Sequence, residues 1–267
     1  MRNDRPKLLS LIVPVYRQEK TIARNLRHIL GELELLSYPH EVIVVIDGEE
    51  DRSLQEAKKI HSPHLSVIGY KTNHGKGYAV RYGIAQSKGD IIGFLDAGGD
   101  IHADGLSMML AHFHWYNADV IVGSKRHPVS KIRYPNERKI LSWCYQLLIK
   151  ILFGLNIRDS QVGMKLFRRE VLEDVFPRLL VKRFAFDIEI LAVAHHLGYT
   201  RIFEAPVELD FTGISSITSK SVLAVIWNTL WDTCAIFYRL KILRYYDNTN
   251  KRKWRFDQEL NFRVNVG

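Results

Sequence analysis

Short, almost wholly apolar runs alternate with amphipathic stretches along the first half of the chain. Residues 9–15, 41–48, 65–70, 90–96 and 119–123 are rich in Val, Ile and Leu, and each is short enough for one buried strand. Between them, residues 19–36, 54–60, 77–86 and 106–115 carry apolar positions at helical spacing, clearest in Ile22, Leu26, Ile29, Leu30 and Leu33. Strand–helix alternation of this kind predicts parallel βαβ units, with helices on both faces of a mostly parallel, Rossmann-like sheet. Strands without polar alternation fit burial on both faces. In such sheets ligands bind beyond the carboxyl ends of the strands. Asp47 and Asp96 both stand at such ends. One acid there could be a helix cap; two on separate strands point to a crevice.

Beyond residue 124 the pattern changes. Residues 125–139 read as a loop broken by Pro128 and Pro135, with six Lys or Arg against Glu137 alone. It is either a solvated surface loop or a flap that meets an anion. An apolar helix follows at 140–155, then a polar turn at Asp159-Ser160-Gln161, a strand at 163–167, a helix at 186–197 and a strand at 200–207.

The 267 residues are 46% hydrophobic and 25% charged, enough for a sizeable core. The net charge of +9 favours an anionic partner: nucleic acid, a phosphorylated substrate or an acidic membrane. No nucleic-acid-binding module or aromatic–basic array appears, so nucleic acid is not expected. Cys144 and Cys234 are too few for a disulfide scaffold and read as packed thiols. The apolar run at 8–16 contains Pro14 and reads as a strand, not a signal peptide. No uninterrupted transmembrane segment is seen.

Six segments in order resemble family 2 glycosyltransferases of the nucleotide-diphospho-sugar (GT-A) fold, over residues 8 to about 216. VPVYRQE (13–19) resembles V-P-x-Y-N-E, with Arg17 where Asn is usual. VVIDGEEDRS (44–53) resembles V-V-D-D-G-S-x-D-x-[ST], with Ile46 for the first Asp. NHGKGYAVRYGIAQSKGD (73–90) matches the family's G-K-G segment, Asp96 opens the D-x-D region, and GSKR (123–126) resembles G-S-R. Further on, DSQVGMKLFRREVL (159–172) and FAFDIEIL (184–191) look like the D-T-Q-C-G-F-K-L-F and F-D-V-E-L-L segments of polyprenyl-phosphate sugar transferases, above all dolichyl-phosphate glucosyltransferases, with mannose synthases close behind.

The resemblance implies a hexosyltransferase using a nucleotide-diphosphate sugar, UDP-glucose first and GDP-mannose second. Pro14, Tyr16 and Glu19 would line the base and ribose pocket, Asp47 would accept a base N–H, and Lys76 between two glycines would meet the diphosphate. The family's D-x-D holds Mg²⁺ or Mn²⁺. Here it reads Asp96-Ala97-Gly98-Gly99-Asp100, so Asp96 with Asp100 are the expected metal ligands, unless Asp100 caps the next helix or Lys76 and Arg126 neutralise the donor without metal. Arg126, Lys131 and Arg133 are candidates for the acceptor phosphate, and Asp159 and Gln161 for the reacting centre. Asp187 or Glu189 would bind a sugar hydroxyl, or act as base on a hydroxyl acceptor; helix N-terminal carboxylates are the structural alternative.

Residues 220–246 have helical spacing with Leu223, Trp227, Leu230, Trp231, Cys234, Tyr238 and Tyr245 on one face, opposite Asn228, Thr229, Asp232, Thr233, Arg239 and Arg244. With Lys251, Arg252, Lys253 and Arg255 beyond it, this is the pattern of an interfacial helix and basic tail on an anionic membrane; a core-packed helix is the alternative. The expected organisation is a transferase domain over 1–216, with the donor side mainly 8–126 and the acceptor side mainly 125–216. A membrane-facing segment over 217–267 completes it. The expected product is an inverted linkage to polyprenyl phosphate, made peripherally at the cytoplasmic membrane face. The same fold acting on a glycan or soluble hydroxyl, or a non-catalytic nucleotide-sugar binder, remains open.

Overall fold

The computed structural model describes residues 8–36, 38–98, 103–133, 136–181, 185–210, 219–247, 249, 254–258 and 262–265. The first half is a βα alternation: β1 (Leu9–Val15), α1 (Ile22–Leu35), β2 (His40–Asp47), α2 (Ser53–Lys58), β3 (Leu65–Tyr70), α3 (Lys76–Gln86), β4 (Ile91–Leu95), α4 (Gly105–Trp115) and β5 (Val120–Ser124). Each matches its sequence expectation to within a residue or two, except that α1 begins three residues late because residues 18–21 form a turn in which Thr21 N–H donates to the Gln18 carbonyl.

The second half departs more. The basic loop contains a short strand, β6 (Lys131–Arg133), and α5 (Asn136–Phe153) starts four residues early. Next come β7 (Met164–Arg168), α6 (Arg169–Val175), a 3₁₀ turn at Phe176–Arg178, α7 (Phe186–His196), β8 (Ile202–Pro206) and β9 (Glu208–Asp210). α8 (Ser219–Phe237) runs into a π-helical turn at Tyr238–Ile242. The expected basic tail holds an antiparallel ribbon, β10 (Trp254–Asp257) with β11 (Phe262–Asn265).

The main sheet has the order β3-β2-β1-β4-β7-β5-β8. All its neighbours pair in parallel except β7, which lies antiparallel between β4 and β5. β6 and β9 pair in parallel as a separate ribbon. Because successive strand residues face opposite ways, the sheet feeds two cores. Leu11, Val13, Val42 and Val44 pack with α1 and α4 on one face. Ile12, Ile43, Val45 and Phe94 pack with α3, α6 and α7 on the other, a core that also takes in Ile149 and Phe153 of α5 and Ile236, Leu240, Tyr245 and Tyr246 from the α8 region.

Helical spacing misplaces part of the C-terminal helix. Trp227, Trp231 and Tyr238 are exposed as expected, but Tyr245 is buried and Thr233, assigned to the polar face, is fully buried. The π turn and Arg244 at φ 48° break the 100° rotation, which carries Tyr245 inward. Thr233 faces α5, where its Oγ1 lies 2.7 Å from Tyr145 Oη and donates to the Thr229 carbonyl. Cys144 and Cys234, expected as packed thiols, are both exposed on these two helices. Among the described residues no helix is long and apolar enough to cross a membrane.

Candidate active site

The carboxyl ends of β1, β2, β4 and β5 meet at one edge, and the loops leaving them carry most of the sequence candidates. After β1, Tyr16 is exposed, and its hydroxyl donates to Glu50 Oε2 at 2.9 Å; Arg17 Nε donates to the same oxygen at 2.9 Å. Glu19 accepts the Arg52 N–H, and its own N–H donates to Asp51 Oδ2, both at 3.2 Å. The loops after β1 and β2 are thus laced together, with half-buried Pro14 beneath them.

Asp47 ends β2 and is 3% exposed. One carboxylate oxygen accepts from Tyr70 Oη (2.9 Å) and His74 N (2.7 Å), and the other from Asn73 Nδ2 (3.1 Å) and Gly75 N (2.9 Å). A carboxylate has about four acceptor positions, so all are filled within the chain. Asp47 therefore builds the turn that opens α3, and a base N–H could be accepted only in exchange for one of these donors. Burial, then the Asp47 carboxylate, push the Tyr70 hydroxyl well above its usual range. Gly75 sits at φ 92°, which favours glycine there. Gly77 lies against the Phe186 ring, so no Cβ fits without a shift.

That turn aims Lys76 into a chain of four charges. Its ammonium is 2.9 Å from Asp96 Oδ1 and 3.2 Å from Asp187 Oδ2. Asp187 Oδ1 is in turn 2.6 Å from the fully buried Lys165 Nζ, which also donates to the Val162 carbonyl at 2.5 Å. Burial alone would lower the Lys76 pKa, but Asp187 and then Asp96 hold it above its usual value. For Asp187 burial acts upward, yet Lys165 and Lys76 hold the carboxyl below the ordinary range. Lys165 is lowered, because burial outweighs Asp187.

Asp96 is the exposed end of this chain, with 43% of its side chain accessible. Its carboxylate lies over Gly163, whose carbonyl accepts the Asp96 N–H at 3.0 Å. Any Cβ at residue 163 would collide with that carboxylate. Gly163→Ala is therefore expected to displace Asp96 and cut any turnover that depends on it about a hundredfold, the usual cost of an ångström-scale misplacement; steady-state kinetics check it.

Asp96 is a hard oxygen donor already facing one cation, which suits Mg²⁺ or Mn²⁺. Among the described residues, no cluster of three metal-type side chains includes it. Magnesium commonly takes one or two carboxylates and completes its shell from phosphate and water, so the donor set fits a metal that arrives with a diphosphate. Asp100, the other expected ligand, lies outside the described residues.

The acceptor-side candidates divide. Asp159 is 5% exposed and accepts the Lys125 N–H (3.3 Å) and the Gln161 N–H (3.2 Å), fixing the start of the basic segment. Gln161 is exposed. Arg126 is half-buried and lines a groove beside β8. Lys131 and Arg133 stand in β6. Glu189 has no exposed surface: it accepts the N–H groups of Leu180 and Val181 and the Tyr246 hydroxyl. Burial raises its carboxyl against those bonds. The structure thus places Glu189 as an internal strut of α7, with no surface open to a ligand. Sequence reasoning assigned no role to Lys165, Gly163 or Glu50. The available signal for Lys165 was a lysine at a core-facing position of an apolar strand.

The family model for glycosyl transferase family 2 matches residues 10–176. The chain belongs to this family and is a family 2 glycosyltransferase. A dolichyl-phosphate beta-glucosyltransferase of Trichomonas vaginalis is 31% identical over 246 residues, covering 87% of this chain and 74% of that protein. The human dolichyl-phosphate beta-glucosyltransferase is 31% identical over 254 residues, covering 89% and 76%. A dodecaprenyl-phosphate galacturonate synthase of Rhizobium johnstonii is 28% identical, covering 62% and 49%. The fold is that of GT-A glycosyltransferases: Mycobacterium tuberculosis glucosyl-3-phosphoglycerate synthase, solved with Mn²⁺, UDP and phosphoglyceric acid, superposes with a TM-score of 0.67 at 16% identity, covering 86% of this chain and 78% of its own.

Proposed function

We propose that this protein transfers a hexosyl group, glucose from UDP-glucose, to a polyprenyl phosphate at the cytoplasmic face of a membrane, with inversion at the anomeric carbon. The relatives that act on dolichyl phosphate support the acceptor class, and one observation carries it. Of the two acids that could act as base, Asp187 is a weak one, because two ammoniums hold its carboxyl below the ordinary range, and Glu189 is sealed in the core. A hydroxyl acceptor needs a base to remove its proton. A phosphate monoester is ionised at neutral pH and needs only positioning and charge stabilisation.

In this reading the donor base and ribose lie by Pro14, Tyr16 and Glu19, and the diphosphate reaches the amino end of α3, where helix geometry and Lys76 favour an anion. An acceptor phosphate oxygen, held from the side of Arg126, Lys131 and Arg133, attacks the anomeric carbon opposite the leaving group. The new C–O bond forms as the bond to the β-phosphate oxygen breaks, and the nucleoside diphosphate leaves. A divalent ion at Asp96 and Asp100 would neutralise that leaving group. Lys76, the counter-cation of Asp96 without donor, supplies positive charge to the same diphosphate. Asp159 holds Lys125 and Gln161 beside the reacting centre.

The exposed faces of α5 and α8 support the membrane reading. Trp143, Leu147 and Ile151 recur every four residues on α5, Trp227 and Trp231 lie exposed on α8, and Tyr145 and Thr233 join the two helices. Together they present aromatic and aliphatic surface suited to a lipid interface.

A donor panel offered with dolichyl or undecaprenyl phosphate tests the activity. Glucosyl-lipid formation from UDP-glucose, abolished by chelator and restored by Mg²⁺ or Mn²⁺, is expected. Product formed only with hydroxyl acceptors would refute it.

A further inference from the structure

One cavity lies outside the donor crevice. It is a groove of about 1090 Å³ between α5 and the edge strand β8. Arg126, Lys150 and Arg158 line it, with His127 and His195, against Glu204 as the single acid among the described lining residues. That acid is already engaged: Glu204 Oε1 accepts the N–H groups of Arg158 (2.8 Å) and Asp159 (3.0 Å). The groove is therefore cationic. Its α5 wall carries Trp143 and Leu147, which also belong to the exposed apolar stripe that Ile151 continues. Charge and apolar surface thus adjoin on one helix: if the stripe enters a lipid interface, Lys150 and Arg158 stand at headgroup level.

We infer that this groove is a seat for an anionic phospholipid headgroup. The phosphate would meet Lys150 and Arg158, with the acyl chains leaving past Trp143 and Leu147. At about 1090 Å³ the groove lies just above the roughly 300–1,000 Å³ of small-molecule sites, so it has room for a headgroup. The seat touches residues 126–128, the start of the basic segment leading to the acceptor side, so an occupied groove would fix that segment. This inference rests on the membrane reading above.

The test uses the full chain and two kinds of vesicle, phosphatidylcholine alone and phosphatidylcholine with phosphatidylglycerol, in co-sedimentation. Lys150→Glu with Arg158→Glu alters two exposed residues and is expected to weaken binding to the anionic vesicles at least about tenfold, while leaving binding to neutral vesicles and to UDP unchanged. Lys58→Glu with Lys88→Glu makes the same change of charge at exposed positions outside the groove and is expected to have little effect. Equal weakening by both pairs would mean a diffuse field and overturn the seat, as would no weakening by the groove pair. If neither vesicle binds the wild-type protein, the membrane reading falls with the seat; if the wild-type protein binds neutral and anionic vesicles equally well, only the groove assignment falls.

Discussion

Asp187→Asn is expected to destabilise the fold by about 3–5 kcal/mol, because it leaves the buried Lys165 ammonium without its carboxylate. Urea unfolding followed by circular dichroism measures it. Lys165→Met combined with Asp187→Asn removes both buried charges and is expected to recover much of the loss; a double variant as unstable as the sum of the two singles would refute the pairing. The pH dependence has a definite sign. Lys165 and Lys76 overcome the upward push of burial and hold the Asp187 carboxyl low. Its stabilisation is therefore complete above the unfolded carboxyl range, near pH 4. It is lost as pH falls through the lower folded value. The gap between wild type and Asp187→Asn should be constant at neutral pH and close only in acid.

Lys76→Met is expected to have the largest catalytic effect, a fall in turnover of about 10²–10³-fold, the scale of removing one preorganised charge from a leaving group. Stability should fall less than in Asp187→Asn, since Asp187 keeps Lys165. A binding measurement separates the two duties given to this lysine. As partner of Asp96 it competes with any other cation there, so Mn²⁺ binding without donor should tighten. As partner of the diphosphate it supports UDP, whose affinity should fall. Turnover near wild type, or both affinities moving together, would contradict this arrangement.

The first half of the fold was legible because one rule governed it: a β-branched run that is apolar throughout can only be a buried strand, and the helices between showed their inward faces. β7 was visible as a strand, but its antiparallel direction was not. Direction depends on which gap in the sheet the chain enters, and Met164–Arg168 has the same alternation either way. α8 was found as a helix, but its rotation past Tyr238 was lost at the π turn, which no spacing of side chains announces. The site was legible where chemistry ran with sequence. The strand-end acids and the Gly-flanked lysine were marked, but the ion pairs of Lys76 with Asp96 and Asp187 were not. Asp187 and Glu189 looked equivalent from a shared helix start. They differ because the helix turns 200° between them, placing one against two lysines and the other against Tyr246.

That last contact has a mechanical consequence. Four residues past the π turn that ends the helix carrying Trp227 and Trp231 comes Tyr246, whose hydroxyl donates to Glu189 at 2.7 Å and whose carbonyl accepts from Arg178 at 2.7 Å. Glu189 shares the first turn of α7 with Asp187, which steadies Lys76. The outermost tryptophans and the crevice lysine are thus joined through helix, π turn, tyrosine, carboxylate and helix. A load on α8 at its aromatic face therefore has a hydrogen-bonded route to the donor crevice.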